Sequence, residues 1–91
     1  MDDDKRAEQF PVVIAEFWRN RSGQSVRIQL TTFQGNTLLD VRIYILSKGK
    51  LVPSHRGVSI SIRKLPLLAS ALNRAHERAI KLGLLPHEAQ P

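Results

Sequence analysis

The sequence contains no cysteine, so neither a disulfide nor a thiolate metal site can supplement a small core. No apolar run approaches the ~20 residues that span a bilayer. The start is acidic and polar, unlike the basic-then-apolar order of a signal peptide. These absences predict a cytoplasmic protein with no membrane role. Walker, zinc-ligand and dinucleotide patterns are missing as well. His55, His76 and His87 stand far apart, and Ser54 beside His55 is a sequence neighbour rather than a triad. No enzymatic activity, cofactor or metal is therefore expected.

Acid is scarce where base is plentiful. The 91 residues carry 14 Lys and Arg against 8 Asp and Glu, a net charge of +6. Asp2, Asp3, Asp4 and Glu8 crowd the start, and Glu77 and Glu88 lie near the end. Between Phe10 and Leu72 the only acids are Glu16 and Asp40, facing nine Lys and Arg. Such a balance suits a polyanionic partner, nucleic acid before acidic membrane, and equally suits a surface charged for solubility.

A chain of this length is one small domain burying roughly 60–65% of its unfolded surface, so self-association is the expected supplement to its core. Residues 1–9, with a DDDK run resembling an expression remnant, read as a disordered lead. Residues 10–86 read as the domain and 87–91 as a tail. Pro11–Arg19 is β-branched and aromatic, which predicts a strand in which Phe17 or Trp18 belongs to the core. Val26–Phe33 and Thr37–Leu46 alternate in polarity around Gln34-Gly35-Asn36, the mark of a hairpin. Val52–Gly57 reads as irregular because Pro53 cannot donate to a central ladder, and Val58–Ile62 as the last strand. From Leu65 the period lengthens to about 3.6, with Leu65, Leu68, Leu72, Ala75, Ala79 and Leu82 on one stripe. Pro66 fits only a first turn, and Gly83 with Pro86 supplies the stop. The predicted class is α+β, in the order β-β-β-β-α with an antiparallel sheet.

The apolar sides of the central strands carry Val26, Ile28 and Leu30, then Leu39, Val41, Ile43 and Ile45. Their opposite sides carry Arg27, Gln29 and Phe33, then Asp40, Arg42 and Tyr44. Arginines beside aromatics suit single-stranded nucleic acid, with cations tracking phosphates while bases stack at about 1–3 kcal/mol each. Phe33 and Tyr44 read equally well as a cross-strand aromatic pair, and Lys48 and Lys50 as solubilising turn residues. Asp40 reads as an acid that orders Arg42.

Residues Gln24 to about Leu72 resemble the C-terminal domain of transcriptional positive cofactor four, a family of single-stranded DNA-binding coactivators with bacterial relatives. The resemblance lies in Phe33-Gln34-Gly35, in Leu38–Tyr44, in Gly49-Lys50 and Pro53, and in His55–Ile60, in order and ahead of one amphipathic helix. Glu16–Asn20 (EFWRN) matches the first strand of bacterial members. The resemblance implies a homodimer of curved four-stranded sheets joined through the helix Leu65–Leu82, with DNA lying along the sheets. It implies that Phe33 stacks on a base, that Arg42 contacts phosphate or base, and that Arg56 with His55 adds a basic loop before strand four. The chain departs from the family in having Ile45 for an aromatic, Gln34 and Asn36 for lysines, and Thr31 for an arginine.

The site expected from these readings is Arg27, Phe33, Arg42, Tyr44, Lys48, Lys50, His55 and Arg56. The expected partner is single-stranded DNA, with RNA as the near neighbour, in a transcription or genome-maintenance role at the nucleoid and possible contact with the transcription machinery. A protein-interaction module of the same fold, with a weakened DNA surface, is the alternative.

Overall fold

Four strands and one helix account for nearly all of residues 9–86, the part of the chain described by the computed structural model. The expected lead, apart from Gln9, and the expected tail with His87 lie outside the described residues. The strands are β1 (Val12–Trp18), β2 (Gln24–Phe33), β3 (Asn36–Ser47) and β4 (Lys50–Ser61). They form one antiparallel meander in sequence order, with β1 and β4 at the edges. A 3₁₀ turn over Ile62–Lys64 leads into the helix α1 (Leu65–Lys81).

Two tight turns fix the register. Gln34-Gly35 and Lys48-Gly49 each place both central residues at positive φ (51° and 81°; 52° and 80°), the geometry whose twist matches that of the flanking strands. The resulting rows run straight across the sheet. Trp18, Ser25, Tyr44 and Pro53 share one row, Glu16, Arg27, Arg42 and Gly57 the next, and Val13, Gln29, Asp40 and Ser59 a third.

Strand four corrects the expectation of an irregular 52–57. The strand runs unbroken through Pro53, because β4 is an edge strand and its outer side requires no donor. The irregularity is a bulge instead. Tyr44 faces Pro53 and Arg42 faces Gly57, so Ser54, His55 and Arg56 together oppose Ile43. The Ser54 hydroxyl donates to the Ile43 carbonyl at 2.7 Å and accepts from the Arg56 amide at 3.1 Å, satisfying backbone groups that the ladder leaves over. A second bulge at Ile14 interrupts β1. Bulges bend strands and sharpen twist, and the groove and most of the deep burial fall on one face of this sheet, the side toward which it closes.

Burial follows the curl. The best-buried side chains, Ser25, Gln29, Leu39, Asp40 and Tyr44, lie mostly on the polar face, which becomes the concave one. On the apolar face Val26, Ile28, Val41 and Ile43 are half-buried, and Phe17 and Val58 are exposed. Both Phe17 and Trp18 are exposed, so neither is the core residue expected of that pair. The helix begins with Pro66 in its first turn, as expected. It ends in a Schellman motif in which the Leu84 amide donates to the Ala79 carbonyl and the Gly83 amide to the Ile80 carbonyl. None of its residues is buried, and Leu72, at the middle of the expected stripe, is 60% exposed.

Candidate nucleic-acid interface

Arg27, Phe33, Arg42 and Tyr44 fall on the concave face because they occupy alternate positions of paired strands. Phe33, Arg42 and Tyr44 line an open groove of about 550 Å³ on that face, and Arg27 lies beside it. Phe33, Leu38, Tyr44 and Pro53 form its apolar walls, and Gln29, Asp40, Arg42 and Ser59 its polar floor. Phe33, at the tip of the β2–β3 hairpin, is 62% exposed. A large ring in that position has its π-face available to a base.

Tyr44 differs from the solvated ring that alternation suggests. It is only 7% exposed, and the Arg27 guanidinium sits 4.0 Å from its ring centroid. The tyrosine thus braces an arginine by a cation–π contact, leaving little free face for stacking. Arg27 Nε also donates to Glu16 Oε2 at 2.8 Å, and that bond, ahead of any other influence, raises the arginine pKa.

Arg42 is held more firmly. Its Nε and Nη2 donate to Asp40 Oδ2 (3.1 Å) and Oδ1 (2.9 Å), and its Nη1 donates to the Ser54 carbonyl at 3.1 Å. Ser59 Oγ donates to Asp40 Oδ1 at 2.8 Å. Burial alone pushes the Asp40 carboxyl up. The hydrogen bonds from Arg42 and Ser59, with the arginine's charge, outweigh burial and hold it below the usual carboxylate range. The Asp40 hydrogen bond in turn raises Arg42. The expectation that Asp40 orders Arg42 is therefore met.

The two concave arginines are each matched by a carboxylate, so the floor has no net charge. Uncompensated charge lies elsewhere. Lys48 and Lys50 stand at the β3–β4 turn, the end of the sheet opposite Phe33, and neither forms an ion pair among the described residues. His55 and Arg56 lie in the bulge of β4. Arg56 lines a small cleft with Val26, Val41, Ile43 and Val58 on the convex side, so it is not gathered with the concave residues. Sequence reasoning missed Gln29 as a floor residue and Trp18 as a surface one. Trp18 is 61% exposed and, with Arg21, Gly23 and Leu46, lines a second groove of about 470 Å³ at the far end of the concave face. Alternation held the signal for both, since Gln29 shares a side with Arg27, and Glu16 and Trp18 are two residues apart. Among the described residues no three His, Asp or Glu side chains come together as a metal site, and no helix is long and apolar enough to cross a membrane.

A sequence model of the family Transcriptional Coactivator p15 (PC4) matches residues 20–71, more than half of the chain and nearly the whole groove. The chain belongs to the PC4 family. Its fold is similar to that of a PC4 homolog from Burkholderia pseudomallei K96243, at 27% identity and a TM-score of 0.65 over 77% of this chain and 95% of that one. A second crystal form of the same homolog gives 26% identity and a TM-score of 0.63, over 74% and 98% of the two chains. The bacteriophage T5 homolog of the eukaryotic coactivator PC4, implicated in recombination-dependent DNA replication, shares the fold at 20% identity. Its TM-score is 0.58, covering 92% of this chain and 90% of that one. No curated protein sequence matches significantly. Membership of the PC4 family fits the four-stranded antiparallel sheet followed by one C-terminal helix.

Proposed function

We propose that this chain is a homodimeric, sequence-tolerant single-stranded DNA-binding protein that serves transcription or genome maintenance. The observation that carries the reading is the concave groove, in which an exposed Phe33, apolar walls and an ordered Arg42 meet on a sheet face left open among the described residues. Bases enter the groove and stack on Phe33, worth about 1–3 kcal/mol on truncation to alanine. Trp18 at the other end of the face offers a second platform. The neutral floor receives bases, and phosphates are met by Lys48, Lys50, Arg21 and the other uncompensated cations around it.

Dimerisation is supported by what a single copy leaves open. Phe17 and Val58 on the convex face and Leu67, Leu72 and Leu82 on the helix are all more than half exposed. Burying each such side chain contributes about 1.5–3 kcal/mol, so a second copy gains several times that. Light scattering at micromolar concentration is expected to give twice the chain mass, and a monomer would refute this part.

Fluorescence polarisation with an oligo-dT probe at several salt concentrations, beside a duplex control and a matched RNA strand, tests the binding itself. Log K is expected to fall with log salt at about −0.7 per neutralised phosphate. Phe33→Ala is expected to weaken binding about five- to 100-fold. Absence of salt-sensitive binding, or an unaffected Phe33→Ala variant, would sink the reading. Tighter capture of the RNA strand would move the assignment to RNA.

A further inference from the structure

The floor of the groove contains one buried polar atom with no hydrogen-bond partner among the described residues. Gln29 is 7% exposed, and the atom is its Oε1. Its Nε2 donates to the Tyr44 hydroxyl at 3.5 Å, the long limit of such a bond. The other polar groups of the floor are occupied. Both Asp40 oxygens accept from Arg42, Oδ1 also accepts from Ser59, and Ser59 Oγ receives Arg42 Nη2 at 3.5 Å. A buried acceptor without a donor is costly, and native interiors rarely keep one without a use for it. The terminal torsion of glutamine is broad, and the bond to Tyr44 restrains it weakly, so Oε1 can turn into the groove at little cost.

We propose that Gln29 reads the edge of a base: its Oε1 accepts a hydrogen bond from the exocyclic amine of a nucleobase held in the groove. This rests on the single-strand reading above and deepens it. Cytosine N4 and adenine N6 present such a donor, whereas thymine and uracil present a carbonyl there. An acceptor facing that carbonyl stays unmatched, and turning the amide over to offer Nε2 instead gives up the bond Nε2 makes to the Tyr44 hydroxyl. Stacking on Phe33 tolerates any base, so Gln29 is where this surface departs from neutrality toward sequence. The sites flanking the groove, Trp18 included, remain indifferent to base identity.

Oligo-dC and oligo-dU of equal length differ at the base in the amine or carbonyl at position four and in N3, an acceptor in cytosine and a donor in uracil, so a dC preference that is lost in Gln29→Met assigns the difference to this contact. Measured by polarisation at one salt concentration and pH 8, wild-type protein is expected to bind oligo-dC about three- to tenfold more tightly than oligo-dU. Gln29→Met keeps the volume and removes the acceptor. It is expected to bring the ratio to about one, by weakening dC rather than by strengthening dU, with an unchanged salt slope. Gln29→Glu retains an acceptor and is expected to keep the preference while weakening both probes. Tight but equal binding of dC and dU by the wild type overturns the inference and leaves the single-strand reading standing. So does a preference for dU, or a dC preference that survives in Gln29→Met. Failure to bind either strand would remove the reading itself and this inference with it. A wild-type ratio of one, or one that favours dU, overturns the inference even if a variant fails to fold.

Discussion

The two faces of the sheet invert the usual arrangement. The concave face is polar and yet holds most of the best-buried side chains, while the convex face is apolar and half open. On the concave side burial comes from curl and from side chains covering one another, as Arg27 covers Tyr44. Each charge taken out of water there has a partner. On the convex side nothing among the described residues performs that service. The proposed function divides along the same line, with the neutral, ordered floor assigned to bases and the apolar face assigned to a second chain.

The convex side is the place to break the contrast most strongly. Val58→Lys puts an unpaired charge on a surface proposed to be buried in the dimer, at about 3–5 kcal/mol. Light scattering is expected to show a halved mass, and an unchanged mass would free that face from the interface. Gly57→Ala strikes the bulge that makes the curl. A Cβ there would stand 2.6 Å from the Val41 carbonyl oxygen and 2.8 Å from Arg42 Cα, both backbone atoms that cannot step aside. A loss of about 1–3 kcal/mol by urea denaturation is expected.

Asp40→Asn sharpens the account of the floor. It weakens the bidentate bond to Arg42 and is expected to cost about 2 kcal/mol. It also releases one guanidinium charge into the groove, so the salt slope for oligo-dT should steepen by about 0.7. Because the folded Asp40 pKa lies below its unfolded value of about 3.9, the wild type keeps this stabilisation above that pH. It loses it as pH falls through the folded pKa. Denaturant midpoints between pH 5 and 2 should therefore decline less steeply in Asp40→Asn. The smallest effect belongs to Glu16→Gln, because the Glu16–Arg27 pair is partly solvated and worth less than about 1 kcal/mol.

The element order was legible because periodicity alone separates strand from helix, and the faces of β2 and β3 followed from simple alternation. The helix ends were legible from Pro66 and Gly83. The path of β4 was not, since a proline argues against a strand unless its edge position is known, and neighbours decide that. Burial was misread at Phe17, Trp18 and Tyr44 for one reason. Hydrophobicity predicts which face is apolar, whereas curvature decides which face is enclosed, and curvature here arises from bulges at Ile14 and Ser54–Arg56 that leave little trace in composition. Alternation put Arg27 and Arg42 on one face of the sheet, as the structure has them, but their neutralisation by Glu16 and Asp40 depends on cross-strand rows and rotamers. Alternation put Gln29 on the groove face, but its orphan acceptor carried no mark in the sequence, because such an atom exists only once its surroundings are built.

The most direct test is to record amide and side-chain NMR shifts of the labelled protein while oligo-dT is added. The account predicts that the largest changes fall on Gln29, Thr31, Phe33, Leu38 and Ser59, with a smaller set at Trp18 and Leu46. Val26, Val41 and Val58 should stay unmoved. Changes centred on those convex valines, or a spectrum that ignores the oligonucleotide, would contradict it.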